Sequence, residues 1–311
     1  MKFTITILGS GAATPTLERY PTSQFINCNE RCILIDCGEG SQIQMRRYKL
    51  KFQKIQVILI SHLHGDHYFG LAGLLSSFIL LGRTSKLKII CPVGLKEIIL
   101  KQIEIGNTKI PFEIEFDEIL LEEKTLVYED KVLEIYAFPL NHRIPTHGFE
   151  IREKQKPRNF IPEQLNQFKI SVKEIGEIKS GKPLIRDGRV VPEDQYSLAP
   201  PPPLSYAFCS DNRIQKKQVT FVKNVTLVYH EATFIHKDKP RAKTTFHSTA
   251  KEVGECLHQS GIENILLGHF SARYKDTTTH QSECQEYIKN VFCVTDGATY
   301  EISQNGVEMI G

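Results

Sequence analysis

A chain of 311 residues, 41% hydrophobic and 24% charged, is long enough for one large domain or two ordinary ones, each with a full core. Its net charge of +3 is too small to imply a polyanionic partner, so a nucleic-acid reading has to rest on where the basic residues cluster. No apolar run approaches the roughly 20 residues of a membrane span, and the six residues Phe3–Leu8, broken by Thr4 and Thr6, are too few for a secretory leader.

In chain order, 5–8, 32–35, 57–60, 87–91, 133–138, 206–209, 226–229 and 265–267 read as short buried strands by composition and length. Leu71, Leu74, Leu75 and Phe78 recur at helical spacing, and Gly82 marks a stop. Thr249 with Glu252 forms a capping-box pattern opening a helix over 250–259 that Gly261 closes. The alternation predicts an α/β fold. The eight cysteines (28, 32, 37, 91, 209, 256, 284 and 293) contain no CxxC pair and read as buried free thiols in a reducing cytoplasm. From about Ile151 to Pro203 the chain is polar and rich in Gly and Pro, ending in Pro200-Pro201-Pro202-Pro203. That composition predicts an inserted extended arm poor in buried residues.

The strongest signal is Ser61-His62-Leu63-His64-Gly65-Asp66-His67, directly after an apolar strand and before a helix. Off an extended backbone His62 and His64 point the same way and chelate one ion. Asp66 and His67, past the Gly65 turn, reach a second. Imidazoles with a carboxylate suit zinc better than magnesium. His142, Asp211 and His269 each follow an apolar strand, and strand carboxyl ends converge on the site in open α/β sheets. Taken with the loop, they are candidate ligands. His147, His236, His258 and His280 have no such claim; His258 is expected exposed on a helix, and His147 is placed at most at the site mouth.

These motifs resemble the metallo-β-lactamase superfamily and, within it, the ribonuclease Z family of tRNA 3′-processing endonucleases. The likeness runs from Leu8-Gly9-Ser10-Gly11 through Asp36-Cys37-Gly38-Glu39-Gly40-Ser41-Gln42, His230-Glu231-Ala232-Thr233 and His247-Ser248-Thr249 to His269-Phe270-Ser271-Ala272-Arg273-Tyr274. It implies a four-layer αββα sandwich spanning 1–311 as a single domain, with 151–203 as a projecting tRNA-binding arm. It further implies two zinc ions per chain: His62, His64 and His142 on one, Asp66, His67 and His269 on the other, and Asp211 bridging. Asp66 would also accept a proton from water, while Glu231 and His247 assist proton transfer to the leaving oxygen. The implied reaction is hydrolysis of precursor tRNA after the discriminator base, a hydrolase chemistry leaving a 3′-hydroxyl on the tRNA and a 5′-phosphate on the trailer. A homodimer in the cytoplasm, one subunit's arm holding tRNA cut by the other, completes what the resemblance implies.

Three basic clusters fit an RNA partner: Arg46, Arg47, Lys49, Lys51 and Lys54; Arg152, Lys154, Lys156 and Arg158; and Lys237, Lys239, Arg241 and Lys243. Lys156, Arg158 and Asn159 fit the family's P-x-K-x-R-N loop and, with Ser271 and Arg273, are candidate substrate-binding residues. Lys154 stands where proline is usual, Asn212 where a threonine is common, and 160–199 lacks the usual Gly-Pro pattern. Two other readings stay open. One is an enzyme of this fold acting on a small phosphodiester, sulfate ester or lactone, against which the arm and the basic clusters count. The other is a non-catalytic RNA-binding relative, which would not retain two zinc ions through dialysis.

Overall fold

The computed structural model describes residues 2–311. Two mixed sheets face one another. The first runs, in spatial order, Gly306–Met309, Thr299–Ser303, Phe3–Gly9, Ser23–Cys28, Arg31–Ile35, Ile55–Leu59, Leu87–Pro92 and Ile114–Ile119. The second runs Asn290–Cys293, Asn264–Gly268, Leu227–Glu231, Ser205–Cys209, Thr146–Glu153, Leu133–Leu140 and Thr125–Glu129. Strand alternation fills both sides of the first sheet. Ile33, Ile35, Val57 and Leu59 pack inward against the second sheet, while Leu34, Ile58 and Ile60 meet the helices Leu71–Leu80 and Leu95–Ile105. Helices Ala250–His258 and Thr278–Gln285 cover the other sheet through Val253, Leu257 and Cys284. The result is the αββα sandwich of the metallo-β-lactamase fold.

All eight expected strands are present, several longer by one to three residues. Strands that composition did not reveal, such as Ile114–Ile119 and Ser23–Cys28, carry acids or amides between their apolar residues. The helix Leu71–Leu80 ends before Gly82, whose φ of +72° suits glycine. Thr249 accepts from the Glu252 N–H as the capping box requires. Six cysteines are buried, as expected, whereas Cys256 and Cys293 are half-buried. Among the described residues no helix is long and apolar enough to cross a membrane.

The chain divides into two compact units, one running to Arg152 and resuming at Leu204, the other comprising Glu153–Pro203. Ile151 and Arg152 belong to the sheet, opposite Tyr206 and Ser205. The smaller unit corrects the picture of an extended segment without a core. It contains helices Pro162–Gln167 and Val172–Lys179, the second capped by a Ser171–Glu174 box. Ile178, Leu184, Val191 and Tyr196 close a core of its own, with Phe160 stacked on Tyr196 at a ring-centroid distance of 6.2 Å.

Candidate active site

The site is assembled at strand ends. Arg31–Ile35 delivers Asp36, Ile55–Leu59 leads into His62, and Ser205–Cys209, Leu227–Glu231 and Asn264–Gly268 deliver Asp211, Glu231 and His269. Asp36 and His269 both take left-handed backbone, with φ of +53° and +57°. Non-glycine residues hold that conformation only where surrounding contacts over-determine it, and here it re-aims side chains as each strand ends. A Cβ on Gly38 would lie 2.4 Å from the Asp66 carbonyl oxygen, so glycine lets the Asp36–Gly40 turn press against the histidine loop.

All seven residues expected as ligands converge: His62, His64, His142 and Asp211 form one set, Asp66, His67 and His269 a second, and Asp211, His247 and His269 a third that links them. In the first, His64 Nδ1 lies 3.0 Å from His62 Nε2 and 3.3 Å from His142 Nε2, with Asp211 Oδ2 3.7 and 4.0 Å from the latter two nitrogens. In the second, His67 Nε2 and His269 Nε2 lie 3.3 and 3.0 Å from Asp211 Oδ1, and 3.4 and 3.6 Å from Asp66 Oδ2. Asp211 thus turns one oxygen to each of the first two sets. His67 Nε2, His269 Nε2 and Asp211 Oδ1 are buried without a hydrogen-bond partner. Buried polar atoms are seldom left so, and imidazole lone pairs aimed at one another repel unless a cation sits among them. The donor set fits a pair of divalent ions with nitrogen preference.

Charge balance gives the same answer. Burial opposes charge on every group here, yet Asp66, Asp211 and Asp36 together drive His67 well above the ordinary imidazole value. Burial would likewise raise Asp211, but facing His269 and His67 hold it well below the carboxylate range. The cluster therefore demands positive charge at its centre, which bound ions supply in place of ring protons.

Outer contacts fix three of the imidazoles, those of His67, His142 and His269. His67 Nδ1 donates to Asp36 Oδ2 at 2.7 Å, and Asp36 also accepts from the Ser61 N–H (2.7 Å) and hydroxyl (2.8 Å). His142 Nδ1 donates to the Phe246 carbonyl at 3.0 Å. His269 Nδ1 donates to Thr233 Oγ1 at 2.9 Å, whose own proton goes to Glu231 Oε2 at 2.7 Å. Each bond leaves the inward nitrogen bare for a metal. Asp36 and Thr233 were motif members without an assigned role in the sequence; their part follows from contacts 31 and 36 residues apart. Replacing Asp36 by Asn, which returns a donor to the His67 ring, should weaken metal retention by about 10–100-fold, measured by titration with a competing chelator.

Beside the paired sets stands His247, whose Nδ1 donates to Glu231 Oε1 at 3.0 Å and whose Nε2 lies 4.0 Å from Asp211 Oδ2. Glu231 is fully buried and also accepts from the N–H groups of Asn212, Ser248 and Thr233. Burial opposes protonation of His247, but the Glu231 charge and hydrogen bond override it and raise the ring to about 9. His247 therefore carries its proton at neutral pH.

These groups open into a cavity of about 440 Å³ that is also lined by Ser271, Arg273, Arg143 and Arg241. Ser271 and Arg273, the candidate substrate-binding residues of this segment, line the cavity; Arg143, which directly follows His142, was not foreseen. Lys156, Arg158 and Asn159 lie in the Glu153–Pro203 unit. There Arg158 is engaged internally, donating to Ser197 Oγ at 2.8 Å and pairing with Glu193 at 3.4 Å, while Asn159 is exposed. His147 is not at the site mouth: it is buried, accepting from the Leu121 N–H at 3.2 Å. His258 is exposed on its helix, as anticipated.

Comparison with known proteins places this arrangement. A family model described as anti-Pycsar protein Apyc1 matches residues 3–146, the part that carries the histidine loop and His142. A ribonuclease Z from Bacteroides thetaiotaomicron is 40% identical over 283 residues, spanning 91% of this chain and 90% of its own. One from Phocaeicola vulgatus is 38% identical over 308 residues, spanning 99% of each. Among solved structures, human tRNase Z, short form (ELAC1), superposes with a TM-score of 0.70 at 26% identity, covering 95% of this chain and 98% of that one. The metallo-β-lactamase fold protein YhfI from Bacillus subtilis, at 14% identity and a TM-score of 0.68, shares the fold. Relatives this similar over nearly the whole length, on a fold whose strand ends build this cluster, make the chain a member of the ribonuclease Z family.

Proposed function

We propose that this chain is the endoribonuclease that removes the 3′ trailer from precursor tRNA in the cytoplasm, hydrolysing the bond after the discriminator base to leave a 3′-hydroxyl. The observation that carries the reading is Asp211, whose two oxygens face two separate histidine sets beside the Glu231–His247 pair. His62, His64 and His142 would hold one zinc and Asp66, His67 and His269 the other, with Asp211 shared. Bound there, such a pair supplies water of lowered pKa and charge against the phosphodiester oxygens.

The remaining chemistry belongs to the side chains. Asp66, fixed by the Ala13 N–H at 2.9 Å, sits at the cavity wall to take a proton from the attacking water. His247, protonated and oriented by Glu231, offers the Nε2 proton to the departing 3′-oxygen. Arg273, Arg143 and Arg241 present guanidinium groups to phosphates entering the cavity. The test is incubation with a 3′-extended tRNA, with and without chelator. Trailer release that chelator stops and zinc restores is expected; trailer release unaffected by chelator would overturn the metal assignment.

In this reading Glu153–Pro203 serves as the tRNA-holding arm through Lys156, Arg158 and Asn159, acting across a homodimer. Deleting 153–199 should raise KM for precursor tRNA by about tenfold or more while sparing hydrolysis of bis(p-nitrophenyl) phosphate, because phosphate contacts supply affinity and not chemistry. Equal losses on both substrates would argue against an arm that acts only in binding.

A further inference from the structure

A second cavity, of about 240 Å³, adjoins the catalytic one and shares Ala12 with it. The partition between them is the chain after Asn264–Gly268. His269, Ser271 and Arg273 line the catalytic cavity, whereas Phe270, Ala272 and Tyr274 line the second. The left-handed His269 and the turn at Ala272–Arg273 set these residues on opposite sides of the wall, which is pinned to the N-terminal loop. The Ala12 N–H donates to the Phe270 carbonyl at 3.1 Å, and the Phe270 N–H donates to the Ser10 carbonyl at 2.9 Å. On the far side Arg19 lies over the Phe270 ring at 5.3 Å and donates to the Tyr274 carbonyl at 3.1 Å, with exposed Lys275 nearby on the rim.

We propose that this second cavity receives the first nucleotide of the trailer, the residue on the 3′ side of the cleaved bond. The inference rests on the function proposed above and deepens it. Its chemistry is that of a single-stranded nucleotide site: the half-buried Tyr274 ring, the Arg19 guanidinium lying over the buried Phe270, and a second cation, Lys275, around a space equal to about eight water molecules at liquid density. Its position follows from the direction of the cut. Hydrolysis breaks the bond between phosphorus and the tRNA's 3′-oxygen; that oxygen takes a proton from His247, and the phosphate leaves with the trailer, the water supplying its new oxygen. The tRNA end therefore lies on the His247 side and the trailer beyond the phosphate, away from it. The second cavity has neither His247, Glu231 nor His142 in its lining, and it adjoins the wall where Ala13 binds Asp66.

Two substitutions test the assignment without touching a catalytic group. Ala272→Trp fills the cavity from an exposed position, and Lys275→Ala removes its rim charge. Each is assayed on a precursor with a trailer, on bis(p-nitrophenyl) phosphate, and for inhibition by tRNA ending at the discriminator. Ala272→Trp should cut kcat/KM on the precursor by about tenfold, the size of one lost base contact. The small diester and the inhibition constant should stay as in wild type. Lys275→Ala should reduce the salt dependence of precursor binding by about one phosphate contact. Wild-type cleavage of the precursor by both variants overturns the subsite, as does an equal loss on precursor and small diester. Wild-type enzyme run alongside separates the two questions, since its failure to release any trailer would overturn the functional reading instead.

Discussion

Replacing Asp211 with alanine is expected to lower single-turnover cleavage of precursor tRNA by about a thousandfold or more, the loss that several kcal/mol of charge stabilisation represents. Both histidine sets lose the carboxylate they share, because Oδ1 lies 3.0 Å from His269 and 3.3 Å from His67 while Oδ2 faces His62 at 3.7 Å. The carboxylate also supplies negative charge that the converging imidazoles and a bound cation require. Metal content per chain should fall with activity. Affinity for tRNA should hold nearly constant, since the rim arginines and the Glu153–Pro203 unit are untouched. Asp211→Asn separates geometry from charge: it keeps the shape but offers only one good ligand oxygen, so at best one ion should be retained. Normal cleavage by Asp211→Ala would show that the paired-ion arrangement is not the catalyst.

How much of this was legible in the residues depends on how local each feature is. The histidine loop declares itself because four metal-competent side chains fall within His62–His67 directly after an apolar strand. His142, Asp211 and His269 are recognisable only as polar residues after strands, and the two sheets then bring them onto that loop. Asp36 could not be given its task from sequence. Its job, orienting His67, exists only once a left-handed turn aims it across the sheet. Thr233 is similar, a hydroxyl whose relay from His269 to Glu231 needs both partners in place. The core of the inserted unit was invisible for another reason. Ile178 comes from the helix Val172–Lys179 and Leu184, Val191 and Tyr196 from the irregular chain after it, so no single window gathers them. Arg158 shows the limit of motif reading: a residue matched to a binding loop is also tied to Ser197 and Glu193 within its own unit.

The Glu231–His247 pair carries the other large effect, and its pH dependence has a definite sign. Proton donation to a leaving oxygen typically contributes about 10²–10⁴-fold, so His247→Ala should lose that much on precursor tRNA. A p-nitrophenyl ester departs without protonation, and its hydrolysis should fall far less, which distinguishes a lost proton donor from a damaged metal centre. His247 is raised to about 9 by Glu231, so the donating form is present at neutral pH and disappears as pH rises through that value. Cleavage in wild type should accordingly show a descending limb on the alkaline side. Glu231→Gln removes the charge that holds the proton, and the ring then returns toward the ordinary value of about 6.5. The limb should move to lower pH in that variant, with the neutral-pH rate falling accordingly. Folding needs separate control, because Glu231 also accepts from the N–H groups of Asn212, Ser248 and Thr233. A variant that retains its metal and its melting temperature, yet cleaves with an unshifted limb, would place the donated proton on some group other than His247.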